Sequence, residues 1–134
     1  MAIDYQKLKN WPFQDIVQTY TARDCILYAL GVGLGADPLD RQQLRFVYED
    51  GLQTLPTMPV VLATPGFWLK DADTGIDWKT VLHGEQALTI HRPLPTAGTV
   101  RSRMSIEEVV DKGPGKAAIL YMRREIDWHE LDIP

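Results

Sequence analysis

Two hydrophobic patterns divide the chain, a helical one near its beginning and an alternating one in its second half. In the first, small and apolar residues recur at helical spacing and form one stripe: Ala22, Cys25, Ile26, Ala29, Leu30 and Gly33. Thr21 and Asp24 precede and enter this stripe at capping-box spacing, with aspartate in place of the usual glutamate. The glycines of "GVGLG", residues 31–35, predict where the helix ends.

The alternating pattern predicts strands. Leu88 and Ile90 alternate with polar residues, as do the apolar and small residues between Val100 and Ile106. The composition of "DKGPGK", residues 111–116, predicts a turn, and "AAILYMRREI", residues 117–126, reads as a further strand. Asp77 could open a short helix over residues 77–82. One helix followed by an antiparallel meander is typical of a two-layer α+β fold, in which a helix covers a curved sheet.

Composition narrows the classes of function. The 134 residues suit one domain, residues 1–134, and the net charge of -4 argues against nucleic acid as a partner. No apolar run reaches the length of a membrane span and no targeting segment is visible, so the expected location is the cytoplasm, with no membrane partner. A single cysteine excludes an internal disulfide.

Three motifs that resemble functional sites have simpler interpretations. "GVGLG" has G-x-G-x-G spacing and follows a helix, whereas a dinucleotide loop follows a strand and opens a helix. His83, Glu85 and His91 lack the spacing of a metal site, so no metal is expected. Cys25 lies in the apolar stripe, where an inert buried thiol is favoured over a nucleophile.

Other positions stay open at this level. Glu49, in "RFVYED", fits a surface acid at the start of a loop as well as a functional acid. Lys112 in the "DKGPG" turn is by itself an ordinary solvated lysine. "LHGEQ", residues 82–86, is either an ordinary turn or a place where a ligand approaches the backbone closely.

Five blocks in one order supply further information. They are "YALGVG" (28–33), "VYE" (47–49), "LPTMPVVL" (55–62), "LHGEQALTIHRPLPTAG" (82–98) and "VVDKGPG" (109–115). Together they resemble the N-terminal half of the hydratase 2 family, the MaoC-like (R)-specific enoyl-CoA hydratases and dehydratases. The resemblance covers about residues 21–126, and "LHGEQ" with "HRPLP" is its most specific part.

The resemblance implies a hot-dog fold, with a long central helix wrapped by a curved antiparallel β-sheet. Family members of this type carry two such repeats, and an aspartate five residues before a histidine performs the chemistry in the second. Here Trp78, Gln86 and Arg124 stand five residues before the three histidines. The chain therefore resembles the repeat that binds acyl-CoA or enoyl-CoA and has lost the catalytic pair. No cofactor is implied, since the CoA thioester is the substrate.

Roles for individual residues come from the same resemblance. His83 and Gly84 match a turn that touches bound substrate, Lys112 matches a turn lysine that meets the CoA portion, and Glu49 matches an acid on which hydratase activity depends. Tyr28 and Glu85 match protic positions of the family, without a defined role. A ligand-facing turn is accordingly the favoured interpretation of "LHG".

The resemblance also implies a partner. A second hot-dog domain is expected in the same chain, in another chain or as a homodimer. The family's closing strand is expected to be missing or altered after residue 126, where "DWHELDIP" follows, and an unpaired sheet edge would result. A split subunit, a truncated chain and an altered reading frame are all compatible with this ending. Two alternatives are a stand-alone acyl-thioester-binding protein and, ranked last because the helical stripe offers no acid, a hot-dog thioesterase.

Overall fold

The structure is a computed structural model that describes residues 3–129. Its helices are α1 (Tyr5–Lys9), α2 (Ala22–Gly31) and α3 (Arg41–Leu44), and its strands are β1 (Ile16–Tyr20), β2 (Gly98–Asp111) and β3 (Ala118–His129). Single 3-10 turns occupy Met58–Val60, Trp68–Lys70, Ala72–Thr74 and Trp78–Thr80. The α+β class predicted from the sequence is confirmed.

The three strands form one antiparallel sheet in the order β1-β2-β3. β2 and β3 extend the two strands predicted from the alternating pattern, and the predicted turn connects them. Gly113 and Gly115 both have positive φ there, at 107° and 70°, a conformation that favours glycine. The Asp111 carboxylate accepts a hydrogen bond from the Gly113 N–H at 2.9 Å and stabilises the turn.

Helix α2 begins where its capping residues predict. The Thr21 N–H donates to the Asp24 carboxylate at 2.8 Å, as the predicted capping box requires. The resemblance predicts a long central helix, and the predicted length is wrong. α2 has ten residues, and no helix among residues 3–129 is longer. Gly33 and Gly35, with φ of 98° and 81°, take the chain out of the helical conformation directly after α2.

The strand predicted at Leu88 and Ile90 is also wrong. Residues 81–97 contain no regular secondary structure, and residues 81–93 are all exposed. Alternation produces a strand only where a neighbouring strand accepts its backbone hydrogen bonds, and the described sheet ends at β1 and β3. Pro93 and Pro95 remove two further N–H groups from this stretch.

Contacts along the chain divide it into two compact units. The first comprises Met1–Ile16, Thr64–Gln86 and Ser102–Glu125, and the second comprises Val17–Ala63, Ala87–Arg101 and Ile126–Pro134. Each unit gathers stretches that are distant in sequence. The single domain expected over residues 1–134 stays a prediction.

The first unit is built around a small core of Leu8, Ile106 and Val109, which are at most 5% exposed. Partly buried hydrophobic side chains pack against it: Ile3, Trp11, Phe13, Trp68, Ile76 and Leu120. The Trp68 ring packs edge-on against Phe13 at 4.8 Å between centroids and lies 5.5 Å from the Trp11 ring. The core thus joins α1 to β2 through apolar contacts.

The second unit buries one face of α2 through Cys25 and Ala29, at 2% and 1% exposure. Tyr20, Met58, Leu62 and Val100 are buried in the same unit. Gly98 is needed where β2 begins, since a Cβ at this position would lie 2.5 Å from Nε1 of Trp128. The Arg92 guanidinium lies 5.7 Å from the centroid of the Trp128 ring.

Two expectations concern the ends and the surface of the chain. β3 continues to His129, three residues past the end predicted for this strand at residue 126. Residues 130–134, on which the expectation of a missing or altered closing strand depends, lie outside the described residues. Within the part that the structure describes, no helix is long and apolar enough to cross a bilayer.

Candidate functional site

The predicted ligand-facing turn lies in the first unit, in an exposed stretch. Asp77 opens the Trp78–Thr80 3-10 turn by accepting a hydrogen bond from the Lys79 N–H at 3.3 Å, as the sequence predicted for a short helical element. His83 follows and makes a hydrogen bond of 3.1 Å with Gln86 through Nε2 and Oε1. A Cβ added at Gly84 would meet no atom within 4 Å, so the backbone here is open to a ligand.

Lys112 belongs to the same unit and lies in the turn between β2 and β3. Its N–H donates to the Ala117 carbonyl at 3.3 Å, which closes the turn. Its side chain is exposed, which is compatible both with an ordinary solvated lysine and with a lysine that binds a phosphate group.

Glu49 belongs to the second unit, in the non-helical turn that follows α3. The residue is exposed, as is its neighbour Tyr48. Within residues 3–129, no described hydrogen bond or ion pair joins Glu49, His83, Gly84 or Lys112 to one another. Their functional roles therefore stay predictions.

An apolar cleft that the sequence analysis did not predict lies within the second unit. Its volume is about 90 Å³, and its lining comes from two stretches: Thr54, Leu55, Pro56, Pro59, Ile90, Pro93 and Leu94. Pro59 is buried, whereas Pro56, Ile90 and Pro93 are exposed at the rim. The prolines of "LPTMP" and "HRPLP" were the available signal, since both stretches occur in the blocks that carry the family resemblance.

A hydrogen-bonded group adjoins this cleft through Thr54. The Tyr20 hydroxyl donates to the Pro95 carbonyl at 2.6 Å, and the Thr54 hydroxyl donates to the same carbonyl at 3.0 Å. The Cys25 thiol donates to the Thr96 carbonyl at 3.3 Å and lies 3.6 Å from the Thr54 hydroxyl. These bonds join β1, α2 and both stretches of the lining.

Burial sets the protonation of this group. Burial, with a smaller effect of Cys25, raises the pKa of Tyr20 to about 12. Burial is also the main cause that raises the pKa of the Cys25 thiol above its ordinary value. Both groups keep their protons well above neutral pH and can serve as donors, and the buried position predicted for Cys25 is confirmed.

Tyr28 acquires a structural contact. Its hydroxyl donates to the Thr57 hydroxyl at 2.9 Å, so α2 holds the stretch that carries one side of the cleft. Glu85 is exposed in the "LHGEQ" turn and has no described contact that defines a role. Among the residues that the structure describes, no group of three or more histidine, cysteine or acidic side chains could hold a metal ion.

The fold matches that of a known class of protein. A MaoC-like dehydratase from Phytophthora capsici superimposes with a TM-score of 0.60 at 21% identity, over 93% of this chain and 45% of that one. The full-length peroxisomal multifunctional enzyme type 2 of Drosophila melanogaster matches with a TM-score of 0.64 at 31% identity, over 90% of this chain and 21% of that one. The class is that of the MaoC-like dehydratase fold.

The family follows from sequence comparison. Residues 18–130 match the model of the MFE-2 hydratase 2 N-terminal domain, and the chain belongs to this family. It is 40% identical over 110 residues to enoyl-CoA hydratase 2, peroxisomal, of Arabidopsis thaliana, covering 76% of this chain and 35% of the relative. It is 34% identical over 128 residues to the probable enoyl-CoA hydratase 2 of Dictyostelium discoideum, covering 90% and 41%. The resemblance recognised in the sequence is confirmed.

These relatives are longer proteins. The chain spans about two fifths of the length of the two curated relatives named above, of which 35% and 41% are covered. The name of the Arabidopsis relative places that protein in the peroxisome, which does not match the cytoplasmic location expected for this chain. The location of this chain stays a prediction.

Proposed function

We propose that this chain is the acyl-CoA-binding hot-dog half of an (R)-specific 2-enoyl-CoA hydratase, or 3-hydroxyacyl-CoA dehydratase, and needs a catalytic half. The observation that carries the proposal is the match of residues 18–130 to the N-terminal domain of the family, in a chain about two fifths as long as its relatives. No cofactor is required, because the CoA thioester is itself the substrate.

The residue types support a binding half without the chemistry. Hydration needs a group that activates water and a group that returns a proton. In the family an aspartate five residues before a histidine supplies these, whereas this chain has Trp78, Gln86 and Arg124 at the corresponding positions. Glu49 is assigned as a supporting acid that acts only when the catalytic half is present.

The partner in this proposal is a second hot-dog domain, in the same chain, in another chain or as a homodimer. β3 supports it, since this strand of twelve residues forms one side of the described sheet and its Tyr121 and Met122 are 47% and 44% exposed. Backbone groups at a sheet edge can pair with a strand of another domain. Several relatives are domains of multifunctional enzymes, which agrees with this arrangement.

Each ligand portion is assigned to residues of matching chemistry. The apolar cleft of Leu55, Pro59, Ile90 and Leu94 would take the acyl chain by the hydrophobic effect. Gly84 and His83 would contact the ligand at the exposed turn, where the missing Cβ permits a close approach. Lys112 would meet a phosphate of the CoA portion.

Isothermal titration tests the proposal directly. We expect heat of binding when a medium-chain acyl-CoA is titrated into the full chain, and much weaker binding of CoA without an acyl group. The difference measures burial of the acyl chain, which contributes roughly 0.8 kcal/mol for each buried methylene. Equal affinities for acyl-CoA and CoA would contradict an acyl-binding role.

Gly84→Val should weaken acyl-CoA binding by about tenfold while the fold is kept. The added side chain meets no protein atom within 4 Å at its Cβ, so the affected space is that of the ligand. A displaced ligand loses contacts of about 1–3 kcal/mol. Titration measures the affinity and circular dichroism checks the fold, with Gly84→Ala as the smaller step. Unchanged affinity in Gly84→Val would count against the assignment of this turn.

Lys112→Ala should weaken a CoA ester by about threefold, in keeping with an exposed ion pair. An acyl-pantetheine of the same chain length lacks the phosphates of the nucleotide portion, so its affinity should change less. Lys116→Ala removes another exposed lysine of the same turn and is the matched control. Equal losses for the ester and the pantetheine analogue would exclude a phosphate contact at Lys112.

A further inference from the structure

Two aromatic rings and two lysines meet at the surface of the first unit. The ammonium group of Lys70 lies over the Trp78 ring, 4.6 Å from its centroid, and that of Lys79 lies 5.9 Å from the same centroid. The Phe67 ring packs edge-on against Trp78 at 6.1 Å between centroids. These four residues belong to one stretch of the first unit, residues 64–86, and are called the aromatic–lysine cluster below.

The Trp78 ring is accessible from outside the protein. It is 38% exposed, and the neighbouring Phe67 is 50% exposed, whereas tryptophan is on average a highly buried residue. The group over the ring is the flexible, exposed side chain of Lys70, and a cation–π contact at an exposed site is weak. A planar ligand can therefore replace Lys70 on the ring at little cost.

The two lysines are available to an anionic ligand. Among the described residues, neither forms an ion pair with a carboxylate. The Asp71 carboxylate accepts a hydrogen bond from the Asp73 N–H at 2.9 Å, and that of Asp77 accepts one from the Lys79 N–H at 3.3 Å. Because these three aspartates outnumber the two lysines of the cluster, recognition of an anion here depends on direct contact with the ammonium groups and not on long-range attraction.

A buried threonine fixes the stretch that carries the cluster. Thr74 is 2% exposed, and its hydroxyl donates to the Asp71 carbonyl at 2.8 Å and lies 3.3 Å from the Leu69 carbonyl. The same hydroxyl accepts a hydrogen bond from the Ile76 N–H at 3.2 Å. These contacts join the residues on either side of Lys70 to the residue that lies two positions before Trp78, so the cluster is held together by its backbone.

The cluster is anchored to the same core as Lys112. Ile76 packs against the core cluster that contains Val109. Trp78 follows Ile76 by two residues, and Lys112 follows Val109 by three. Since each residue extends a chain by at most about 3.5 Å, neither side chain can be far from this core. One extended ligand can therefore contact both.

We propose that the aromatic–lysine cluster binds the nucleotide end of the CoA thioester, with the adenine ring stacked on Trp78 and with Lys70 and Lys79 in contact with phosphate oxygens. This inference rests on the proposed binding of acyl-CoA. Aromatic side chains stack on any base, and lysine is a compact cation suited to phosphate. The nucleotide end carries a purine and several phosphate groups, of which Lys112 alone would meet only a part.

The test compares the affinity of the full chain for a medium-chain acyl-CoA with that for an acyl-pantetheine of the same chain length, which lacks the nucleotide. Trp78→Ala should weaken acyl-CoA binding by about tenfold, as removal of a base-stacking ring does elsewhere, and leave the acyl-pantetheine unaffected. Trp78→Phe keeps an aromatic face and should keep most of the affinity. Tyr121→Ala is the matched control, since it removes another aromatic ring of the first unit that is 47% exposed.

The lysines are tested together. Replacing both Lys70 and Lys79 by alanine should weaken acyl-CoA binding by about threefold or more at low salt, and by less at high salt, where exposed charges are screened. The acyl-pantetheine should again be unaffected. Free ADP has a purine and a diphosphate without the acyl chain and should bind far more weakly than acyl-CoA. ADP that binds as tightly as acyl-CoA would identify a site for free nucleotides and overturn the inference.

The outcomes separate this inference from the proposed function. Acyl-CoA affinity unchanged in Trp78→Ala and in the double lysine variant overturns the nucleotide site and leaves acyl-CoA binding intact. Equal losses for acyl-CoA and acyl-pantetheine also overturn it, because the nucleotide would then not be the part recognised. Wild type that binds no acyl-CoA overturns both proposals. Should circular dichroism show that Trp78→Ala does not fold, the double lysine variant decides, since both of its substitutions lie at exposed positions.

Discussion

We expect the purified chain to hydrate crotonyl-CoA no faster than buffer. Hydration should appear when a catalytic hot-dog half with its aspartate–histidine pair is added. The chain has no aspartate five residues before any of its histidines, so the proton transfers of hydration have no donor and acceptor pair in it. Positioned acid–base groups contribute roughly 10²–10⁴-fold to a rate. The absorbance of the enoyl thioester measures the reaction.

Four further measurements make that result specific. The catalytic half alone should be slow, and replacing its aspartate by asparagine should abolish the gain. Glu49→Gln in this chain should reduce the restored rate, whereas Asp50→Asn, at the exposed neighbouring position, should not. A normal enzymatic rate for this chain alone would show that the catalytic interpretation is wrong. Binding of acyl-CoA without hydration in any mixture would favour a stand-alone binding protein.

Leu8→Ala should lower the free energy of unfolding by about 2–5 kcal/mol, the cost of removing a large side chain from a close-packed site. Leu8 is 0% exposed and packs with Ile106 and Val109 at the centre of the first unit. Among the described residues this core cluster has three buried members, so its packing depends strongly on Leu8. Urea unfolding measures the change, with equal slopes in the variant and the wild type required for the comparison.

Leu39→Ala is the matched control for this substitution. Leu39 is 87% exposed, so the same change of side chain should alter stability by no more than about 0.5 kcal/mol. Similar losses in Leu8→Ala and Leu39→Ala would contradict the packing described for the first unit. A loss below about 1 kcal/mol in Leu8→Ala would contradict it as well.

Features determined by neighbouring residues were predicted well from the sequence. The start of α2 follows from Thr21 and Asp24, which form their bond within a single turn. The turn between β2 and β3 follows from Gly113 and Gly115, because the required positive φ favours glycine at each. The family was likewise recognisable, since motif order along a chain is a property of sequence alone.

The wrong predictions concern features that depend on contacts with distant parts of the chain or that were taken from the family. Leu88 and Ile90 alternate as in a strand, yet a strand forms only when it pairs with another backbone, and residues 81–97 pair with no strand of the described sheet. The expected length of the central helix came from the family and was overruled by Gly33 and Gly35 directly after α2. The alternation of apolar and polar residues does not show which strand, if any, lies beside the stretch.

By itself the sequence determined the family, the start of α2, the hairpin of β2 and β3, and the absence of an aspartate–histidine pair at catalytic spacing. Only the tertiary structure decided that Thr54 and Pro95, 41 positions apart, share a hydrogen bond beside an apolar cleft. The reason is physical: caps and turns are stabilised by bonds between near neighbours, which local residue types reveal. Contacts between distant stretches depend on how the whole chain closes its loops, and no local pattern records that choice.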